Sequence, residues 1–222
     1  GWDYNVKCIQ EAQLDQAMVR GTRKAARWQD QLVISGKPVR RFFGHANRSG
    51  SSMPVLRLAS GGVLTVGPLQ VGARPTLNWG ASPEEQFLWN SERWVSSSFP
   101  IGKGHSFVNV ENLYGYANTT RKGDTYRILE AFFTCISGRG QDVPTVICMD
   151  TNLQVSTDAT FLGMCAAGGW ADSVNLQGGG LAELPTYSRS SLWDKDDGHN
   201  TRIDVILLNQ AAQRLFHSFR YL

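Results

Sequence analysis

Residues 143–152 read Val143-Pro144-Thr145-Val146-Ile147-Cys148-Met149-Asp150-Thr151-Asn152, an apolar run that stops at a carboxylate. Val143 to Met149 has the character of a buried strand, and Asp150 stands at its end. A second stretch inverts the pattern. In Thr201-Arg202-Ile203-Asp204-Val205-Ile206-Leu207-Leu208 the acid lies near the start of a strand. A third, Val6-Lys7-Cys8-Ile9-Gln10-Glu11, runs out of a strand into Glu11. A carboxylate buried without a partner is costly, so acids at strand ends are paired, hydrogen-bonded or gathered on a cation. Acids at the ends of neighbouring strands converge on one pocket. Such an oxygen-rich set suits Mg²⁺, which keeps several waters and takes one or two carboxylates. Asn152 offers a neutral amide two residues beyond Asp150. For any one of these acids taken alone, a helix cap or a salt bridge is the commoner role, and the metal site is the alternative.

Outward from these stretches the chain alternates loosely between strand and helix patterns, which predicts a layered α/β domain. Tyr4 to Gln10 reads as a strand, and Asp15 to Leu32 as a polar helix ended by Gly36 and Pro38. Val39 to Phe43 is a second strand candidate, His45 to Ser60 a loop, and Gly61 to Val66 a turn feeding a short buried strand. The segment Arg74 to Gly104, with Trp79, Trp89 and Trp94, has no clear period, and packing is the commoner role for its tryptophans. Ser106 to Leu113 is a strand broken at Tyr114-Gly115. Asp124 is placed to cap a helix whose apolar stripe is Ile128, Leu129, Phe132, Phe133 and Ile136, with Gly138 and Gly140 ending it. A further helix runs from Asp158 to Ala167, and Phe216 to Leu222 begins another strand.

Composition sets outer bounds. The chain has 222 residues, 41% hydrophobic and 18% charged, enough apolar material for a core. Its formal net charge of +3 permits a nucleic-acid partner without demanding one. No apolar stretch approaches the roughly 20 residues of a membrane span. The longest, Phe161 to Ala171, is broken by Gly163, Gly168 and Gly169. The first residues show no signal-peptide pattern, and the lack of an initiating Met suggests a fragment or a processed product. The four cysteines have no zinc-knuckle spacing and read as free thiols in a reducing compartment.

Taken jointly and in order, the motifs resemble the endonuclease/exonuclease/phosphatase superfamily, the group of DNase I and the apurinic/apyrimidinic endonucleases. Cys8-Ile9-Gln10-Glu11 resembles the strand whose Glu holds the metal, and Leu113-Tyr114-Gly115 the strand ending in an active-site Tyr. Ile147 to Asn152 resembles the Gly-Asp-x-Asn motif, and Thr201 to Asp204 the Ser-Arg-Ile-Asp motif. Gly61-Gly62-Val63 and Pro185-Thr186-Tyr187 are softer matches. Met149 stands where the family has Gly, and Thr201 where it has Ser. The family's opening strand with its metal-side Asn and its closing Ser-Asp-His motif find no counterpart. The expected organisation is therefore one domain over residues 1–222 lacking those two elements.

The resemblance implies a DNase I-like four-layer α/β sandwich, with two mainly antiparallel sheets flanked by helices. It implies a Mg²⁺- or Mn²⁺-dependent phosphodiesterase, foremost a DNA endonuclease of the retrotransposon or apurinic/apyrimidinic type. DNA is the expected partner, with no membrane, in an intracellular and then nuclear setting. A basic patch drawing on Arg20, Arg23, Lys24, Arg121 and Lys122 is expected to meet it. Inositide or lipid phosphatase and sphingomyelinase are the alternative activities, and an inactive fragment or binding scaffold is the alternative class. By the same resemblance Glu11 binds the metal, Asp150 orients or deprotonates the attacking water, and Asn152 donates to a phosphoryl oxygen. Tyr114 gives a hydroxyl to the phosphate or to metal-bound water, Asp204 supports the electrostatics, and Asn118 and Arg202 contact substrate. Three bland readings stand beside these: Tyr114 as a core residue, Arg202 as a salt-bridge partner, and His199 as a solvated loop residue.

Overall fold

The computed structural model describes residues 6–10, 39–43, 47–48, 59–60, 63–68, 74–75, 82–91, 93–101, 106–116, 122–138, 141–177, 186 and 202–217. The chain divides into two compact units, Gly1–Tyr114 and Gly115–Leu222.

The first unit is mostly antiparallel sheet. Strands β1 (Lys7–Gln10), β2 (Val39–Phe43) and β5 (Val63–Pro68) form one sheet with β5 in the middle. Two short strands, β3 (Asn47–Arg48) and β4 (Ala59–Ser60), pair with each other inside the segment expected to be a loop. Strand β6 (Arg74–Pro75) pairs with β7 (Trp94–Pro100), and β7 with β8 (Phe107–Tyr114). Helix α1 (Pro83–Ser91) precedes β7. The apolar residues Val63, Val95, Phe99, Val110 and Tyr114 are buried together, with Val6, Cys8 and Val108 against them. Each such side chain contributes roughly 1.5–3 kcal/mol on burial.

Strand β7 is buried along nearly its whole length. Its three serines survive there because each hydroxyl has an acceptor. Ser96 donates to Glu111 Oε1 (2.7 Å), Ser97 to the Val110 carbonyl (3.4 Å), and Ser98 to Asn109 Oδ1 (2.6 Å). Trp94 Nε1 donates to Glu111 Oε2 at 2.8 Å, and Glu111 is wholly buried. Satisfying every buried polar atom is what lets a polar sequence occupy a core position.

The second unit layers helices on a three-stranded antiparallel sheet. Strand β11 (Asp204–Leu208) lies between β9 (Thr145–Asp150) and β10 (Ala171–Asp172). Helix α2 (Lys122–Ser137) buries the expected stripe Ile128, Leu129, Phe132, Phe133 and Ile136. Asp124 lies in its first turn rather than at its cap, where a carboxylate still favours the helix dipole. Helix α3 (Ala159–Ala167) is capped by Asp158, whose side chain accepts the Phe161 amide at 3.0 Å. The short helices α4 (Ser173–Gln177) and α5 (Gln210–Gln213) follow β10 and β11. Val143 is exposed and precedes β9, which starts two residues later than expected. Phe216 and His217 are not in a strand, and residues 218–222 lie outside the described residues. The helix expected over Asp15 to Leu32 also lies outside them.

All four cysteines are free thiols. Among the described residues no helix is long and apolar enough to cross a membrane.

Candidate active site

Asp150 is the last residue of β9 and Asp204 the first of β11, and the two are direct partners across the antiparallel pair. Directly opposed residues project to the same face of a sheet, with Cβ atoms about 4.5–5.5 Å apart. Burial alternates along β9, with Ile147 and Met149 on the buried face and Cys148 and Asp150 on the half-buried one. Val205 and Leu207 continue the buried face on β11, so both acids share the other side. Two carboxylates 54 positions apart in sequence are thus brought together by strand register.

The loop after β9 holds Asn152 beside them. Its backbone N–H donates to Asp150 Oδ1 at 3.1 Å, and its φ of 53° lies in the left-handed region that Asn tolerates better than most residues. Asn152 Nδ2 makes one long contact, 3.5 Å, to the Gly115 carbonyl. An amide nitrogen carries two hydrogens, so Nδ2 retains donor capacity for an incoming oxygen. The loop is sewn to the chain entering β11. The Thr151 amide donates to the Ile203 carbonyl (3.0 Å), and the Val155 amide donates to the Arg202 carbonyl (3.1 Å). The buried Thr151 hydroxyl reinforces this, donating to the Ile203 carbonyl at 3.0 Å while accepting the Leu153 amide at 3.1 Å.

Gly115 closes the other side. Its amide donates to the Asp150 carbonyl at 2.7 Å, and a Cβ placed on it would stand 2.2 Å from the Thr151 carbonyl oxygen. Only a residue without a side chain fits that approach. Thr186, in the Pro185-Thr186-Tyr187 segment, joins the chain entering β11. Its hydroxyl oxygen accepts both the Ile203 and the Asp204 amides at 3.0 Å. Burial pushes the Asp204 carboxyl above its ordinary value, against the Thr186 hydrogen bond and the nearby Arg202 charge.

Arg202 Nη2 donates to Asp172 Oδ1 (2.9 Å) and Oδ2 (2.7 Å), and the residue is only 5% exposed. Asp172 also accepts the Val174 amide at 3.3 Å at the start of α4. The guanidinium is a buried strut between β10 and the chain entering β11, the setting of the salt-bridge reading. Tyr114, in the other compact unit, is 3% exposed, packed in that unit's core, with the Arg93 guanidinium 4.8 Å over its ring. That is the setting of the core-residue alternative. In the same unit Gln10, the residue before Glu11, donates through Nε2 to Asn112 Oδ1 at 2.8 Å. Glu11, Asn118 and His199 lie outside the described residues, as do Arg20, Arg23, Lys24 and Arg121 of the expected basic patch. Lys122, its remaining member, pairs with Asp158 at 3.1 Å.

Among the described residues no group of three or more His, Cys, Asp or Glu side chains is placed to hold a metal ion. The donors that do converge are oxygens: two carboxylates and an amide. This set fits the ligand chemistry of a hydrated Mg²⁺, which needs only one or two protein carboxylates.

No protein-family profile and no curated protein matches the sequence. Solved structures do match. The catalytic domain of Xenopus laevis APE2 aligns with a TM-score of 0.62 at 17% identity, over 94% of this chain and 75% of that one. An AP endonuclease from Archaeoglobus fulgidus gives 0.62 at 14% identity, over 94% and 77%. The endonuclease domain of TRAS1, a telomere-specific non-LTR retrotransposon, gives 0.55 at 13% identity, over 88% and 83%. At these identities the likeness is one of fold, and it is the α/β fold that the ordered motifs imply.

Proposed function

We propose that this chain, whose fold is the DNase I-like α/β fold of the endonuclease/exonuclease/phosphatase superfamily, is a divalent-metal-dependent phosphodiesterase. Its substrate is nucleic acid, foremost DNA, cleaved internally in the manner of an apurinic/apyrimidinic or retrotransposon endonuclease. The observation that carries the reading is the pairing of Asp150 with Asp204 across β9 and β11, with Asn152 fixed beside Asp150. The proteins that share the fold support the substrate class, since they include an AP endonuclease and a retrotransposon endonuclease.

A bound Mg²⁺ or Mn²⁺ would polarise a phosphoryl oxygen and stabilise the leaving oxyanion. One of the two paired acids would help hold it, and Glu11 is the ligand that the sequence resemblance implies. The chain's own residues supply the rest. Asp150 orients the attacking water and takes its proton, and the Asn152 amide holds its carboxylate in place for that step. Asn152 Nδ2 donates to a non-bridging oxygen as charge develops there. Asp204 adds negative potential on the same face, which draws a cation toward the strand ends. Thr151 and Gly115 fix the loop so that these groups need no rearrangement during the reaction.

The test is nicking of supercoiled plasmid and of a duplex with one abasic site, with Mg²⁺ or EDTA. Asp150→Asn is expected to lower kcat about 10²–10⁴-fold, the usual contribution of a positioned base, with little change in KM. Hydrolysis of inositol phosphates in preference to both DNA substrates would overturn the substrate class. Cleavage unaffected by EDTA would overturn the metal dependence.

A further inference from the structure

A cavity of about 280 Å³ lies in the second unit, bounded by α3, α4 and the strands β10 and β11. Asp150, Asn152 and Asp204 are not among its lining residues. Its floor is apolar: Phe161, Cys165, Trp170 and Leu207 are all buried. Burial and the Asp172 charge push the Cys165 thiol up to about 12, so that part of the wall is uncharged at neutral pH. Trp170 is held from two directions. Its ring centroid stands 6.5 Å from that of Phe133, and a Cβ on Gly168 would meet its Nε1 at 2.4 Å. A wall set in this way before a ligand arrives lowers the cost of binding. Exposed Leu162 and Ala166 of α3 form the rim.

The cavity also has a polar end. Arg202 lines it, 5% exposed, and its bonds to Asp172 both come from Nη2. A guanidinium carries five N–H groups, so the pair leaves donors over. Among them Nε is buried and has no hydrogen-bond partner among the described residues. An unmade bond from a buried charged donor is costly, so an acceptor brought to this end is favoured. The Asp172 carboxylate already balances the Arg202 charge at 2.7 Å, and a second anion would compete with it. The acceptor that fits is therefore uncharged, such as an amide carbonyl. Size narrows the choice further. An apolar cavity of about 150 Å³ holds benzene. The larger volume here suits one substituted ring or two fused ones.

We infer that this cavity is a binding site for a small uncharged aromatic amide or related carbonyl compound, with its ring on Phe161, Trp170 and Leu207 and its oxygen toward the Arg202 guanidinium. The inference goes beyond the phosphodiesterase reading and does not depend on it.

The probe is benzamide, with toluene and benzoate as comparisons. Each is titrated into the full chain while ¹H–¹⁵N NMR follows the Arg202 Nε–H and the Trp170 indole N–H. Benzamide is expected to move both signals with a Kd on the order of 0.1–1 mM, as suits a molecule of its size. Toluene and benzoate should each bind about tenfold more weakly or worse. Toluene offers no acceptor, and the benzoate carboxylate lies against that of Asp172. Ala166→Trp places a large side chain at the exposed rim and leaves the Arg202–Asp172 pair alone. It should weaken benzamide at least about tenfold. Absence of benzamide binding, or binding that leaves both signals in place, would overturn the site. Equal affinity for toluene would overturn the role of Arg202, and equal affinity for benzoate the uncharged class. Undiminished binding to folded Ala166→Trp would place the ligand elsewhere. Should that variant fail to fold, the two signals of the unmutated chain decide. No readout here involves phosphodiester cleavage, so failure of the site leaves the proposed function standing.

Discussion

Gly115→Ala is the substitution for which the structure gives the sharpest expectation. The new Cβ would stand 2.2 Å from the Thr151 carbonyl oxygen, 2.7 Å from its carbonyl carbon and 3.1 Å from its Cα. All three atoms are backbone, so no side-chain rotation can make room. Since real Cβ atoms stay beyond 3.0 Å, the two segments must separate by about 0.8 Å. Overpacking of this kind costs about 1–3 kcal/mol. The Gly115 amide bond to the Asp150 carbonyl, 2.7 Å long, lies in the same contact, and weakening it adds about 1 kcal/mol. A loss of about 2–4 kcal/mol lowers Tm by roughly 4–16 °C in a chain of this size. Activity should suffer more than stability. The displaced segment carries Asp150 and Asn152, and a misplacement of about 1 Å in reacting groups costs on the order of 10²-fold. Gly123→Ala is the control, because a Cβ there meets nothing within 4 Å and the residue lies in helix α2. It should be neutral or stabilising by up to about 1 kcal/mol. Differential scanning calorimetry and plasmid nicking on the two variants together decide the matter. Native Tm and native kcat in Gly115→Ala would refute the argument that backbone proximity builds the site.

Three further outcomes follow from the same unit. Burial works to raise the Asp158 pKa, but its hydrogen bonds from Tyr126, the Phe161 amide and Lys122 prevail and hold it below the ordinary 3.8. Its contribution is therefore present above pH 4 and lost as the pH falls through the lower folded value. Asp158→Ala should cost about 2 kcal/mol in urea unfolding at pH 7, from the lost cap and the stranded Tyr126 hydroxyl, and much less once the pH has fallen below the folded value. Removing one partner of the Arg202–Asp172 pair should cost about 3–5 kcal/mol, because the other charge is left buried. Replacing both by apolar residues should recover most of that loss, and equal destabilisation by single and double variants would contradict it. Burial, helped by the Asp172 charge, pushes the Cys165 thiol up to about 12, so at pH 8 it should resist iodoacetamide in the native state. Peptide mass mapping after alkylation reads this directly, with half-buried Cys148 as the comparison.

The strands that carry the acids were legible because their apolar runs are uninterrupted, and the α2 stripe because Ile128 to Ile136 keeps helical spacing. The region before β8 was not. Ser96, Ser97 and Ser98 have the composition of a loop, and only their cross-strand acceptors on β8 make them core residues. Those acceptors are 11–15 positions away, beyond any local pattern. Arg202 illustrates the opposite difficulty. Its place beside Asp204 in sequence suggests the substrate, whereas its partner, Asp172, lies 30 positions away on β10. Thr186 was visible as a motif, but its role depends on backbone donors in another segment. Side-chain type and spacing thus identify the acids, and long-range hydrogen bonds decide what surrounds them.

The register that brings the acids together is chosen by the core rather than by the acids. In the observed pairing Ile147 opposes Leu207 and Met149 opposes Val205, all four on the buried face. A slip of one residue would turn one strand's apolar set outward and bring Asp150 or Asp204 in. Burying four such side chains contributes roughly 6–12 kcal/mol. For opposed residues whose Cβ atoms stand about 5 Å apart, repulsion between two ionised carboxylates at that spacing is on the order of 1–3 kcal/mol between water and an effective dielectric near 20. Packing therefore outweighs repulsion and holds two like charges side by side without a cation. A site assembled in this way should keep its geometry when the metal is removed, since the metal is not what sets the register. Chelation is then expected to abolish turnover while lowering Tm by only the few degrees due to the restored repulsion. Unfolding of the second unit on treatment with EDTA would show that the cation, and not the Ile147–Leu207 and Met149–Val205 pairs, determines the alignment of β9 with β11.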